Sequence, residues 1–398
     1  MMEQIKKIIR KLRSTCRKIK SLFLLAIMKY MTKKRHKQKK MIIAVEFQTT
    51  NEFFYLKPVL TSLHEEGHLL FFTVREKLEK AIRELAGSSF PEKPPLLLDV
   101  WITPKIPTID FYLNATLSYD IQVPEKARYK ISFPHSITSK TKYDVFSPAI
   151  EKITDMFVTG EVFLNDLKTY CKDHGIKNMP RLHKIGCPKS DVIFGLSMDK
   201  KDFLKNNGLD PNLPTLFYAP TWNPDTSVFT WRDDILSVTE RHKVNMIVKI
   251  HPGAYIDPNN VKSSGGIDWK SFFESDNLKK KRIVNAYHTD SPEYIMASDI
   301  AITDISTIWI ECYFLKKPII FLDIPKFFES HQKNSLGDFR DDYGYLVKSA
   351  EELDKIIDGL LKGKIPPRDP PPIKDMLLYN QGVATEKTIE KMTELLKI

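Results

Sequence analysis

Three short stretches put histidine, lysine and small hydroxyl side chains where a negatively charged group could be held and attacked. In "YKISFPHSITSK", His135 follows a β-rich run and is trailed by Ser136, Thr138, Ser139 and Lys140. An imidazole titrating near neutrality can take a proton from an attacking hydroxyl, although a hydrogen-bonded loop histidine has the same spelling. In "VNMIVKIHPGAY", Lys249 and His251 share one face of a strand that ends in Pro-Gly, where open α/β sheets bind ligands. In "SDIAITDISTIWIECYF", a buried strand through Thr303 runs into Asp304-Ile305-Ser306-Thr307 and then into an apolar helix. Hydroxyls and main-chain N–H groups at such a turn suit a phosphate pair, and Glu311 one turn later could accept from a ribose diol. Ordinary capping by Ser306, with Glu311 facing solvent, fits the same residues. Two further strand-to-loop passages, "GCPKSD" with Lys189 and "LFYAPTW" with Thr221, could line a nucleotide pocket or simply be turns.

No cofactor and no metal is expected. His64-Glu65-Glu66-Gly67-His68 spells H-E-x-x-H, but zinc proteases need both rings on one continuous helix. Gly67 stands where a helix stops, and His68 then begins a strand, so the rings should diverge. The four cysteines form no C-x-x-C pair, and a reducing compartment suits them as small apolar residues. The glycines make no G-x-G-x-x-G, "GLLKGK" is one residue short of a P-loop, and there is no Asp-x-Asp. The charge that balances a diphosphate should therefore come from side chains and main-chain amides.

These residues need strands to aim them, and the chain alternates strand and helix from Met41 onward. Expected strands in the first half are 41–47, 68–74, 96–102, 128–133 and 155–160, with helices at 54–66, after residue 74 and after residue 160. A second series runs through 215–221, 244–252, 282–287, 300–306 and 318–323, with 171–191 as the hinge. Such alternation specifies parallel sheets covered on both faces. Two Rossmann-like halves with a cleft between them describe an α/β chain of GT-B architecture.

The net charge of +11 belongs to one end of the chain. The first forty residues carry fifteen Lys and Arg against one acid, Glu3, and the remainder is slightly acidic. In that arm Ile5, Ile8, Ile9, Leu12, Cys16, Ile19, Phe23, Ile27 and Tyr30 form an apolar stripe on a basic helix. "LFLLAIM" is too short to span a bilayer, so a helix lying on anionic lipid is expected, with no nucleic acid partner. A basic helix that docks on the chain's own body, on a partner or on nucleic acid is the other reading.

Taken in order, His-Ser-x-x-x-Lys at 135–140, "GCPKSD" at 186–191, "LFYAPTW" at 216–222, "KIHP" at 249–252 and "ITDIST" at 302–307 resemble the CDP-glycerol glycerophosphotransferase family of teichoic acid-type polymer synthesis. Glu311 stands at the acidic position that follows the last motif. The resemblance covers roughly residues 130–325. It implies a peripheral enzyme on the cytoplasmic face of the membrane. Such an enzyme moves a polyol phosphate from a CDP-polyol donor to a hydroxyl of a lipid-linked acceptor and releases CMP. It further implies that His135 is the base and that His251 steadies the transferring phosphate. Thr303, Ser306 and Thr307 would cradle the diphosphate and Glu311 would touch the ribose, with Lys249, Thr221 and Asp304 on the donor side and Lys140 and Lys189 nearby. Domains expected on this basis are the arm (1–40), an acceptor lobe (41–180), a nucleotide lobe (181–375) and a C-terminal helix (376–398). Many members have His-Gly followed by Thr-Pro where this chain has His135-Ser136-Ile137-Thr138, a difference on the acceptor side. A GT-B nucleotide-sugar glycosyltransferase or a UDP-sugar epimerase is the alternative.

Overall fold

The computed structural model describes residues 2–36, 40–118, 121–134, 136–138, 140–222, 224–255, 261–287, 290–333, 336, 338–369 and 374–397. Two parallel sheets organise them. The first contains β1 (Ile42–Phe47), β2 (Leu69–Val74), β3 (Leu96–Asp99), β4 (Ile109–Asn114), β5 (Ala127–Ser132), β6 (Asp155–Val158) and β7 (Arg181–Lys184), in the order β3-β2-β1-β4-β5-β6-β7. The second contains β8 (Thr215–Tyr218), β9 (Asn245–Val248), β10 (Ile283–Asn285), β11 (Ile300–Thr303), β12 (Ile319–Leu322) and β13 (Tyr345–Val347), in the order β10-β9-β8-β11-β12-β13.

Why the strands read as unbroken apolar runs is plain from β1. Ile43, Val45 and Phe47 enter one core while Ile42 and Ala44 enter the core on the opposite face. The second sheet does the same, with Leu216 and Tyr218 on one side and Phe217 on the other. Successive side chains point to opposite faces, so a sheet with helices on both faces needs apolar residues at every position. Strand order reverses between β1 and β4 and again between β8 and β11. Those two crevices, outside the carboxyl ends of the strands, are where such sheets take ligands.

Several elements differ from expectation. The strand expected at 96–102 stops at Asp99, whose carboxylate accepts from Trp101 N at 3.3 Å and starts a 3₁₀ turn, Val100–Lys105. The helix expected from residue 54 begins at Thr50. Strands β4 and β13 were not anticipated, and β7 lies inside the stretch read as the hinge, paired with β6. Helix Thr50–Glu65 ends ahead of Gly67 (φ +78). In its last turn His64 meets the Lys93 carbonyl, while His68, beyond the helix, accepts from Met41 N, so the two rings are not on one helix and have different partners.

The end of the chain returns to the first lobe. Helix Ala384–Lys397 buries Met392 and Leu395 in the core that holds Val45 and Phe47, and Tyr129 donates to the Leu395 carbonyl. On its way the chain passes Gly186 (φ +95), where a Cβ would lie 2.2 Å from the Tyr379 carbonyl oxygen. The glycine of "GCPKSD" is thus needed for a chain crossing. The N-terminal helix, Met2–His36, docks on the same lobe through Leu25 and Met28, which pack with Leu98 and Ile102. Lys20 also pairs with Glu79 at 3.0 Å. Its Ile19, Leu22, Phe23 and Tyr30 remain exposed. No helix among the described residues is long and apolar enough to cross a membrane.

Candidate active site

Between the two sheets lies a cleft of about 440 Å³ whose walls come from both lobes. The first lobe supplies Asn51, Phe54 and Tyr55 from helix Thr50–Glu65, and Ser136, Lys140 and Thr141 from the loop after β5. Lys189 enters from helix Pro188–Gly195, which starts just beyond β7. The second lobe supplies Thr221 and Trp222 after β8, Lys249 and His251 after β9, and Ser306, Thr307 and Glu311 after β11. All are at or beyond the carboxyl ends of strands, as a ligand crevice requires. The lobes touch directly: Ser136 Oγ, which donates to the Thr138 carbonyl at 2.6 Å, lies 3.1 Å from the Thr307 hydroxyl, Lys142 N donates to the Gln332 carbonyl, and Thr141 and Lys333 form an antiparallel bridge.

Of the residues singled out in the sequence, Lys140, Lys189, Thr221, Lys249, His251, Ser306, Thr307 and Glu311 line this one cleft. His135 lies outside the described residues. Thr303 and Asp304, also expected on the donor side, sit behind the wall and do not line the cleft. Thr303 Oγ1 donates to the Ala219 carbonyl at 2.7 Å, tying β11 to the end of β8. Asp304 is fully buried; its carboxylate accepts from Thr221 N, Ser227 N, Ser227 Oγ, Ile305 N and Ser306 N. A buried carboxylate must be saturated in this way, and its effect is to hold the loops carrying Thr221 and Ser306 together. The Thr221 hydroxyl itself is buried with no hydrogen-bond partner among the described residues, at the edge of the cleft.

Glu311 is neither solvent-facing nor alone. Its Oε1 lies 2.7 Å from Lys189 Nζ and its Oε2 accepts from Ser291 Oγ at 2.5 Å. Lys189 also faces Asp290 at 3.4 Å and lies over the Tyr55 ring. Burial works against its charge, yet Glu311 and then Asp290 outweigh that and hold its pKa well above the usual lysine value. Lys249 goes the other way. Burial, reinforced by the charge of Lys189, brings its pKa down to about 8, while its ammonium donates to the Ala286 carbonyl at 3.4 Å. Within the cleft, Lys189 is thus firmly charged whereas Lys249 titrates at about 8.

His251 is fixed on two sides and open on a third. Nδ1 accepts the Gly253 N–H at 3.0 Å, the ring stacks on Trp222 with planes 14° apart, and Nε2 faces the cleft. Sequence reasoning overlooked Asn51, Tyr55 and Ser291. Only the Thr49-x-x-Glu52 spelling of a helix start could have drawn attention to Asn51.

Two facing Rossmann-like lobes with a polar, cation-bearing cleft at their switch points define a GT-B-type transferase architecture. The family described as CDP-Glycerol:Poly(glycerophosphate) glycerophosphotransferase matches residues 168–360, a stretch that includes every second-lobe residue of the cleft, and over that stretch the chain is similar to this family. Solved structures share the fold. A variant of the wall teichoic acid polymerase TagF is 15% identical over 98% of this chain and 99% of that chain, with a TM-score of 0.63. A TagF structure after a 15 minute CDPG soak is 14% identical over 98% of each chain, with a TM-score of 0.59. UDP-GlcNAc 2-epimerase from Methanocaldococcus jannaschii, in complex with UDP-GlcNAc and UDP, is 13% identical over 89% of this chain and 100% of that chain, with a TM-score of 0.56. At these identities the likeness is one of fold. No curated protein sequence matches the chain.

Proposed function

We propose that this protein transfers a polyol phosphate, glycerol phosphate or a close analogue, from a CDP-activated donor to a hydroxyl of a membrane-associated acceptor in teichoic acid-type polymer synthesis, releasing CMP. The second lobe takes the nucleotide and the first presents the acceptor. The observation that carries this reading is the Ser136–Thr307 contact. It brings the segment that follows His135 against the turn proposed to cradle the diphosphate.

In this scheme the acceptor oxygen bonds to the β-phosphorus as the bond from that phosphorus to the CMP oxygen breaks. His135 accepts the hydroxyl proton. His251 and the hydroxyls of Thr221, Ser306 and Thr307 meet the charge that develops on the phosphoryl oxygens. Lys249 helps neutralise the leaving CMP. Positioning and charge stabilisation are what phosphoryl transfer asks of a protein, and domain closure would supply both. Glu311, already paired with Lys189, retains acceptor capacity for a ribose hydroxyl.

The N-terminal helix supports the membrane part of the proposal. It is anchored to the first lobe through Leu25 and Met28, and it turns Ile19, Leu22, Phe23 and Tyr30 outward amid a basic sequence. Such a surface suits anionic lipid on the cytoplasmic face. Incubation with CDP-glycerol or CDP-ribitol and a lipid-linked disaccharide should release CMP, and CDP should raise the melting temperature more than UDP. Absence of CMP with every donor and acceptor, together with stronger stabilisation by UDP, would turn the reading toward UDP-sugar chemistry.

A further inference from the structure

Asn51 belongs to the first turn of helix Thr50–Glu65, two hundred residues in sequence from His251, yet its side-chain amide nitrogen, Nδ2, lies 3.5 Å from His251 Nε2 across the cleft. The other ring nitrogen is committed. Nδ1 accepts the Gly253 N–H at 3.0 Å, and a Cβ on residue 253 would crowd that same atom at 3.0 Å. A neutral imidazole that accepts at Nδ1 carries its proton on Nε2. The atom facing Asn51 is therefore an N–H, and its partner is the amide oxygen, since the two ends of an amide exchange by a half-turn. A distance of 3.5 Å is at the outer edge of hydrogen-bond range, as cleft contacts often are before ligand tightens them.

The turn that carries Asn51 is pinned from behind. Glu52 accepts Gln48 N at 2.7 Å and the Thr116 hydroxyl at 2.5 Å, so the helix start is fixed to the loop after β4. The Trp222 ring on which His251 stacks completes a seat that faces Asn51 and the cleft.

We infer that Asn51 is a positioning residue for His251: its amide oxygen holds the Nε2–H aimed into the cleft until a phosphoryl oxygen of the donor takes over that hydrogen bond. The inference rests on the proposed phosphoryl transfer for its catalytic meaning, but the ring contact stands independently of it. Because Nδ1 is occupied and Nε2 is protonated, His251 acts as a hydrogen-bond donor to an anion and does not abstract a proton. A first-lobe residue thereby preorganises a second-lobe ligand contact.

The test pairs Asn51→Asp and Asn51→Ala in the full-length chain, with folding checked by thermal melting. In ¹³C/¹⁵N-histidine NMR without any nucleotide, Asn51→Asp should raise the His251 titration by about one pH unit, because a carboxylate replaces a neutral oxygen beside the ring. The other charged groups lining the cleft, Lys140, Lys189, Lys249, Asp290, Glu311 and His331, are the same in both proteins. Asn51→Ala should lower kcat for CDP-glycerol about tenfold with KM little changed, the pattern of an interaction used in the transition state. An unmoved His251 titration in folded Asn51→Asp overturns the inference. So does wild-type kcat in Asn51→Ala. If no CDP-polyol is turned over at all, the proposed function fails while the nucleotide-free titration still decides whether Asn51 holds the ring.

Discussion

Lys189 Nζ and Glu311 Oε1 stand 2.7 Å apart between the hinge helix and the second lobe, with side chains only 12% and 7% exposed. Neither can lose its partner cheaply, because a buried charge left alone keeps its full desolvation cost. Lys189→Met should destabilise the protein by about 3 kcal/mol, and Lys189→Met with Glu311→Leu should recover most of that loss. Urea unfolding of both single variants and the double variant measures the coupling. Strict additivity would mean the pair is not a unit.

Two buried acids in the first lobe give stability a pH dependence of defined sign. Burial raises the pKa of Glu46 and of Glu52 to about 7 each, and the charge of Glu52 adds to the shift at Glu46. Hydrogen bonds from Tyr112 and Gln48 to Glu46, and from Thr116 to Glu52, oppose those shifts, as does the charge of Arg75 at Glu46. The folded state therefore holds protons that the unfolded chain has released above about pH 4.5, and stability drops as pH climbs from there to about 7 and levels off beyond. One site accounts for up to about 3 kcal/mol. Other carboxylates oppose the trend, among them Asp338, which Arg340 holds well below the normal range. The clean quantity is thus the difference between wild type and Glu46→Gln. That difference should be small at about pH 5 and favour the variant at about pH 8. A wild type equally stable relative to the variant at both pH values would contradict the assignment.

How far the sequence reveals this molecule depends on whether a residue's partner is near it in the chain. Runs such as "MIIAVEF" and "IAIT" announce buried strands because nearly every position is apolar. Strand β4 escaped because Asp110 and Asn114 interrupt its apolar run. In the fold, Asp110 accepts the Ile42 N–H at 2.9 Å, a contact that exists only once β1 and β4 pair, and Asn114 ends the strand by donating to the Thr116 carbonyl. Asp304 was legible only in part: Ile305 N and Ser306 N beside it donate to its carboxylate, but its other donors come from Thr221 and Ser227, some eighty residues earlier. The cleft's second-lobe wall was legible because each residue follows its own strand directly. Asn51 was not, because only the packing of one lobe against the other brings it to His251.

Lys249 supplies a pH dependence of binding. Its ammonium titrates at about 8, depressed by burial and by Lys189 and partly restored by Asp290 and Glu311. Affinity for CDP should therefore be level near pH 7 and weaken by up to tenfold per unit above about pH 8 as the positive charge is lost. Lys249→Met should bind CDP more weakly at about pH 7 and show no such decline. Calorimetric titration from about pH 6.5 to about pH 9.5 decides the point; a flat wild-type profile would remove Lys249 from the donor site.

The N-terminal helix has a face docked on the first lobe and an exposed apolar face proposed to meet lipid, which makes each testable alone. Leu25 and Met28 are buried in the first lobe's core, whereas Leu22 and Phe23 are 50% and 66% exposed on the other side. Leu22→Glu with Phe23→Glu should leave the melting temperature within about 2 °C of wild type, because exposed substitutions change stability little. The same change should abolish co-sedimentation with vesicles rich in phosphatidylglycerol, since apolar insertion and attraction of the basic face are both needed to hold an interfacial helix. Leu25→Asp should instead lower the melting temperature by placing an unpaired carboxylate in an apolar core. Vesicle binding that survives the paired glutamates but disappears in high salt would mean that the basic residues suffice and the outward apolar stripe has another role.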